Sequence, residues 1–162
     1  MTSLVRVTLE NQALYLEQIL EIENLSFSVP WSPGGFLQEL ENLVSQLCAL
    51  TSESIVLGYI CFRTIQKEAE LLDLAVHPRY RGQGHGAFLL TKMIDHGFSK
   101  GISTIWLELR ASGSTARKLY EKFGFVESGR RKNYYTDPRE DAVVMSLALT
   151  RMPGKPFPGT TQ

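Results

Sequence analysis

Apolar and polar residues alternate over residues 4–8, the period of a half-buried strand. From Asn11 the period changes, and Leu14, Ile19, Ile22 and Leu25 recur near helical spacing. Val29-Pro30-Trp31-Ser32-Pro33 interrupts that helix. Ser32 followed by Pro33 predicts a new helix start, since proline's fixed φ and missing N–H suit a first turn. Phe36, Leu40 and Leu43 mark the apolar face of this second helix. Strands are predicted at 46–50 and 55–65, parted by a polar turn at 51–54. A third extended run, 68–76, ends at His77-Pro78.

The segment Arg81-Gly82-Gln83-Gly84-His85-Gly86 then leads into a helix over 87–100, which Gly101 stops. Beyond it the pattern predicts a strand at 104–109, a short helix at 114–122, and strands at 125–131 and 142–149. A strand, glycine loop, helix and strand in succession imply a parallel pair joined by a crossover. Short turns on either side imply antiparallel neighbours. The fold class is therefore α/β, or α+β by stricter definitions, with a mixed sheet. Residues 1–150 read as one domain, and 151–162, rich in Pro, Gly and Thr, as a disordered tail.

Composition narrows the function classes. The 162 residues are 43% hydrophobic and 21% charged, as in ordinary globular chains. No apolar run approaches the roughly 20 residues of a spanning helix, and the N-terminus lacks the basic and apolar regions of a secretory signal. A cytoplasmic protein without a membrane partner is expected. The net charge of zero hides a split. Residues 1–76 carry three basic and ten acidic side chains, a net of −7; residues 77–162 carry fourteen basic and seven acidic, a net of +7. Such a split suggests a small anionic ligand rather than direct nucleic-acid binding, which would more often make the whole chain basic. Cys48 and Cys61 form no CxxC and have no histidine at ligand spacing, so they read as reduced buried thiols and no metal is expected. With the hairpin turning at 52–54, Cys48 would lie opposite about Leu57 rather than Cys61.

In the glycine loop the later glycines let the backbone approach a ligand closely, and the loop opens a helix whose first N–H groups suit phosphate. A plain strand-to-helix turn is the alternative. A dinucleotide fingerprint fits poorly, because the first glycine of GxGxxG is misplaced and the preceding strand is about the fourth. No Gly-Lys-Ser/Thr follows, so the Walker pattern is absent as well.

Three segments in order resemble the GCN5-related N-acetyltransferase superfamily. They are Leu71-Leu72-Asp73-Leu74-Ala75-Val76-His77-Pro78, the Arg-x-x-Gly-x-Gly loop, and Ala116-Arg117-Lys118-Leu119-Tyr120-Glu121-Lys122-Phe123-Gly124-Phe125. Further segments narrow the resemblance to ribosomal-protein alanine N-acetyltransferases of the RimI type. These are Pro30-Trp31-Ser32, Trp106-Leu107-Glu108-Leu109-Arg110-Ala111-Ser112, Arg131-Lys132-Asn133-Tyr134-Tyr135 and Glu140-Asp141-Ala142. The resemblance implies a mainly antiparallel sheet flanked by helices, with a central parallel strand pair splayed around acetyl-coenzyme A. It implies that Arg81, Gly82, Gln83, Gly84, His85, Gly86 and Ala87 hold the pyrophosphate, and that Leu74, Ala75 and Val76 offer backbone groups to the pantetheine arm and acetyl carbonyl. The family usually has asparagine where this chain has Gly113, so one side-chain contact to the cofactor is missing, which Ser112 or Ser114 would have to replace.

Acetyl transfer needs an uncharged amine to attack a thioester. A free α-amine has a pKa of about 7.7–8.0, so a modest base suffices. Glu108 shares a strand face with Trp106, opposite Ile105, Leu107 and Leu109. From the residues alone it is either a base or a strand-end carboxylate paired with an arginine; its position matches the family's proton acceptor. Tyr120 reads alone as core packing, and by resemblance as the donor that protonates the leaving thiolate. His77 reads as a surface strand-end residue. The expected acceptor cleft lies between the loops 29–32 and 133–140, with Trp31, Tyr134 and Tyr135 as walls; Trp31 reads equally as a staple for the second helix. Arg130, Arg131 and Lys132 form a basic cluster, either phosphate-facing or solvated.

The leading expectation is an acetyl-coenzyme A-dependent Nα-acetyltransferase acting on the N-terminal alanine of a small-subunit ribosomal protein. The alternatives are acetylation of a lysine side chain, a polyamine or another small amine, and a non-catalytic cofactor- or partner-binding module.

Overall fold

A two-residue turn sets the register of the first hairpin. In a computed structural model that describes residues 1–150, Glu53 and Ser54 both take positive φ, 50° and 72°. That is the left-handed pair whose twist matches antiparallel strands. The turn joins β2 (Ser45–Ser52) to β3 (Ile55–Ile65), and a register shift between Leu50 and Thr51 follows it. Cys48 therefore pairs with Ile60, and Cys61 with Leu47. The expected Cys48–Leu57 opposition is corrected, because the turn lies later and the bulge adds a residue. Both cysteines are free and buried. Burial pushes both thiols up, with the charges of Glu39 and Asp73 adding to the effect at Cys61.

The remaining elements are β1 (Thr2–Val7), α1 (Leu16–Ser26), α2 (Pro33–Glu41), β4 (Glu68–Val76), α3 (His85–Ser99), β5 (Thr104–Arg110), α4 (Ser114–Lys122), β6 (Val126–Tyr135) and β7 (Glu140–Ala148). The strand order is β1-β2-β3-β4-β5-β7-β6. β4 and β5 pair in parallel, through Glu68–Glu70 and Thr104–Trp106 only. The pairs β1–β2, β2–β3, β5–β7 and β6–β7 are antiparallel. The mixed sheet with one parallel pair is as expected. The chain forms two compact units, one of residues 1–63 and 72–90, the other of 64–71 and 91–150. The expected tail at 151–162 lies outside the described residues.

In the first unit, Asn11 does not start a helix. Its carboxamide accepts from Thr8 N and donates to Arg6 O, fixing a single 3-10 turn, Gln12–Leu14. The α-helix begins at Leu16 and buries Leu16, Ile19, Ile22 and Glu23. Leu14 and Leu25, expected on the apolar face, are exposed. Ser32 caps α2 as its position predicts, its Oγ accepting from Gly35 N at 3.1 Å with Pro33 in the first turn. This helix stops at Glu41, which leaves Leu43 in solvent rather than on the helix face. Val7, Ile19, Ile22, Phe36, Leu47, Ala49, Val56 and Tyr59 pack into one core. In the second unit Ile105, Leu107, Phe123, Phe125, Val143 and Met145 are buried.

Two carboxyls are buried among these apolar side chains, Glu23 and Asp73. Burial, then the hydrogen bond to Glu23 and its charge, push the Asp73 carboxyl far above the usual carboxylate range and past neutrality. The folded chain thus keeps a proton that the unfolded chain releases near pH 4. This contribution is fully present below pH 4 and declines as pH rises from there to the folded-state value of about 10, with a limiting slope of about 1.4 kcal/mol per pH unit for one proton. Asp73→Asn removes the linkage. Urea midpoints should fall between pH 6 and pH 8 more steeply in the native chain than in Asp73→Asn, and parallel curves would refute the assignment.

Candidate active site

The turn after β4 carries most of the residues expected to face phosphate. His77 caps it, its Nδ1 accepting from Arg79 N at 3.1 Å, with Nε2 3.5 Å from Glu21 Oε1. Gly82 and Gly84 take φ of 77° and 86°, and a Cβ built at either meets nothing within 4 Å. A side chain at either glycine would be strained, and it would enter open space above the loop. A hydrogen bond across the entrance of α3 runs from Phe88 N to Gly84 O. The amides of His85 and Gly86 precede it, where a helix leaves N–H groups for an outside acceptor. The backbone from Gly82 to Gly86 is thus open on the side where a phosphate could approach. Arg81 is used differently. Its guanidinium donates to Val76 O at 2.9 Å and to Ser26 Oγ at 3.0 Å, bracing the end of β4.

Leu74, Ala75 and Val76 close β4, and sequence reasoning overlooked the residue that shapes them. Gly58 on β3 passes so near that a Cβ there would lie 2.8 Å from Ala75 O and 3.2 Å from the Val76 Cα. A glycine within an otherwise apolar strand is the signal that could have revealed it. Trp31, in the same unit, packs its ring 5.0 Å from that of Phe36 and lies against the core cluster, so the staple reading holds for its ring. Its backbone N–H donates to Glu23 Oε2 at 2.9 Å.

The second unit collects Glu108, Gly113, Tyr120, Tyr134 and Tyr135. Glu108 lies mid-strand on β5, opposite Val144 of β7, on the face expected from alternation. Its Oε2 is 2.7 Å from Arg131 Nε, so the carboxylate is both inside the strand and paired with an arginine. The Arg131 guanidinium also lies 5.6 Å from the centre of the Tyr134 ring. Arg130 pairs with Glu127 instead. The two arginines of the basic cluster thus serve different carboxylates.

Tyr134 and Tyr135 end β6, four residues beyond the strand expected there. The extension passes a register shift between Arg131 and Tyr135, where Asn133 takes a φ of 52° and its N–H donates to Asp141 Oδ1. The tyrosine rings meet edge to face at 5.1 Å. Burial first, then the Glu108 charge, push the Tyr135 hydroxyl up to about 12, so it stays protonated. The Arg110 guanidinium covers the Tyr135 ring at 4.6 Å and donates to Pro138 O, Thr136 O and Glu140 Oε1.

Glu140 extends this network to the start of α4. It accepts from Ser112 N at 2.9 Å and from Ser112 Oγ at 3.0 Å. Ser112 is therefore committed, which leaves Ser114 as the nearby hydroxyl for the asparagine contact that Gly113 lacks. Gly113 N donates to Arg110 O, and a Cβ at Gly113 would sit 3.1 Å from that carbonyl. Tyr120 is buried, with its ring 5.7 Å from that of Phe125.

Known proteins share this architecture. The acetyltransferase (GNAT) family model matches residues 16–125. The [ribosomal protein bS18]-alanine N-acetyltransferase of Haemophilus ducreyi is 41% identical over 135 residues, 82% of this chain and 92% of that protein. The crystal structure of the ribosomal-protein-S18-alanine N-acetyltransferase of Escherichia coli superposes with a TM-score of 0.84 at 32% identity, covering 97% of this chain and 99% of that one. Naa50 of Arabidopsis thaliana, solved with the bisubstrate analogue CoA-Ac-MVNAL, superposes with a TM-score of 0.75 at 26% identity, covering 91% and 98%. An open glycine turn ahead of a helix, a carboxylate inside the strand beyond it and a family match across both make the chain a member of the acetyltransferase (GNAT) family.

Proposed function

We propose that the chain is a cytoplasmic acetyl-coenzyme A-dependent Nα-acetyltransferase whose acceptor is the N-terminal alanine of ribosomal protein bS18. The observation that carries this reading is the 41% identity to a bS18-alanine acetyltransferase over 82% of the chain. A match of that extent includes far more than a cofactor loop. Acetyl-coenzyme A supplies the thioester. The open backbone of Gly82–Gly86 binds its pyrophosphate, and backbone N–H groups near Ala75 and Val76 orient the acetyl carbonyl and stabilise charge on its oxygen. Glu108 accepts the proton of the acceptor amine, directly or through water. Tyr120 delivers a proton to the departing sulfur, so no covalent enzyme intermediate is needed and neither cysteine takes part.

Trp31, Tyr134 and Tyr135 are the proposed acceptor contacts. Phe27 and Val29 are apolar and exposed on the loop that carries Trp31. The ion pair between Glu108 and Arg131 gives the acceptor a defined task. Its ammonium group must take over part of the guanidinium's place beside the carboxylate before it gives up a proton.

The test follows thiol release from acetyl-coenzyme A with a panel of acceptors. A peptide beginning with the Ala terminus of bS18 is expected to support turnover, and its N-terminally blocked form is not. Turnover with free lysine or polyamines alone would overturn the reading. A raised melting temperature with acetyl-coenzyme A but no thiol from any acceptor would favour the binding module. Glu140→Ala is expected to raise the peptide KM several-fold and lower the melting temperature, because Ser112 and Arg110, which holds Thr136 O and Pro138 O of the loop before β7, lose their common partner. Unchanged values of both would remove Glu140 from the account.

A further inference from the structure

Glu23 is a carboxylate on the buried face of α1, only 1% exposed. Its Oε1 accepts from the Tyr59 hydroxyl at 2.5 Å and its Oε2 from the Trp31 backbone N–H at 2.9 Å. Asp73, 7% exposed, is hydrogen-bonded to Glu23 as well. A bond between two carboxyls needs a proton, and the environment of Asp73 retains it there. Glu23 is thereby the common acceptor for α1's neighbours on β3 and β4 and for the loop that leads to α2. Asp73 also directly precedes the Leu74-Ala75-Val76 segment.

This arrangement is a poor way to gain stability. Apolar side chains of similar volume often replace buried charged groups without loss. What the polar cluster supplies is direction. Apolar packing lets a loop slide, whereas a backbone N–H aimed at one carboxylate oxygen fixes a single peptide. The fixed peptide is that of Trp31, between the exposed Val29 and the capping residue Ser32.

We propose that Glu23, Asp73 and Tyr59 form a positioning cluster for the acceptor, holding the Trp31 backbone and hence the acceptor-facing side of the loop Phe27–Ser32. The inference rests on the reading of Trp31 as an acceptor contact. None of the three residues touches the reacting atoms. Their effect is therefore expected in the acceptor KM, with the acetyl-coenzyme A KM and kcat little changed.

Glu23→Gln tests this, because one amide oxygen cannot serve both Tyr59 and Trp31. With the Ala-starting peptide, its peptide KM is expected to rise five- to tenfold while kcat and the acetyl-coenzyme A KM stay within twofold. Tyr59→Phe removes only a hydroxyl and is expected to raise the peptide KM two- to threefold. Asp73→Leu should resemble Glu23→Gln, and Asp73→Asn, which restores a neutral donor, should recover most of that loss. Trp31→Ala separates the two levels of the argument. If it leaves the peptide KM unchanged, the acceptor reading of Trp31 fails and the positioning role with it. If it raises the peptide KM but Glu23→Gln and Tyr59→Phe do not, only the positioning role is overturned. Equal rises in both KM values across the cluster variants would assign it to folding alone. Should Glu23→Gln fail to fold, Tyr59→Phe and the Asp73 pair decide the matter.

Discussion

Glu108→Gln is expected to lower kcat roughly 10²- to 10⁴-fold, the range for removing a positioned general base. Glutamine keeps the shape and remains able to hydrogen-bond, so acetyl-coenzyme A affinity should change little. Glu108 projects from the middle of β5 on the face opposite the buried Ile105, Leu107 and Leu109. Its side chain is 22% exposed, open enough to meet an acceptor and held by Arg131. The defect should also narrow as pH rises. An α-amine with a pKa of about 7.7–8.0 arrives largely neutral above pH 9, so less is asked of a base there. Initial rates from pH 7 to 9.5 check this. A deficit of constant size, or a loss of cofactor binding, would make Glu108 a structural residue.

Gly58→Val is expected to cost about 10²-fold in kcat/KM, mainly through weaker acetyl-coenzyme A binding. The 2.8 Å approach to Ala75 O is to backbone, which cannot rotate away as a side chain would. β4 must therefore move where the thioester carbonyl is proposed to lie, and displacements near 1 Å in a site can cost on the order of 100-fold. Overpacking of this kind also lowers stability by about 1–3 kcal/mol. Gly58→Ala should show the same pattern more weakly. Calorimetric titration with coenzyme A separates the effects, since a folded Gly58→Val that binds it normally would remove Ala75–Val76 from the cofactor site.

Alternation and helical spacing made most elements legible because they follow from which face is buried. They made the carboxylate face of β5 legible too. They failed where single residues override the pattern. Neither Glu53 nor Ser54 announces a left-handed turn, so the hairpin register was misplaced. Asn11 advertised a helix cap but spends its side chain on Thr8 and Arg6. β6 outruns its apolar pattern because its edge is fixed by pairing with β7 through irregular register rather than by burial. Ser26, which Arg81 reaches, and Arg131, which pairs with Glu108, lie far from them in sequence, and no local spacing encodes either contact. Glu23 was visible in principle. It falls one position from Ile22 and four from Ile19, on the side of the helix that had to be buried.

The two cysteines bear on how turnover can be measured. The chain's only two cysteines, Cys48 and Cys61, are 8% and 0% exposed, with thiols held in their protonated form by burial. Aromatic disulfide reagents attack thiolates that they can reach. In a colorimetric assay of released coenzyme A, the native enzyme should therefore add almost no background colour. Two equivalents of slow absorbance would then signal molecules opening under the assay conditions. The same cuvette would record catalysis and, in variants such as Gly58→Val, the loss of the fold.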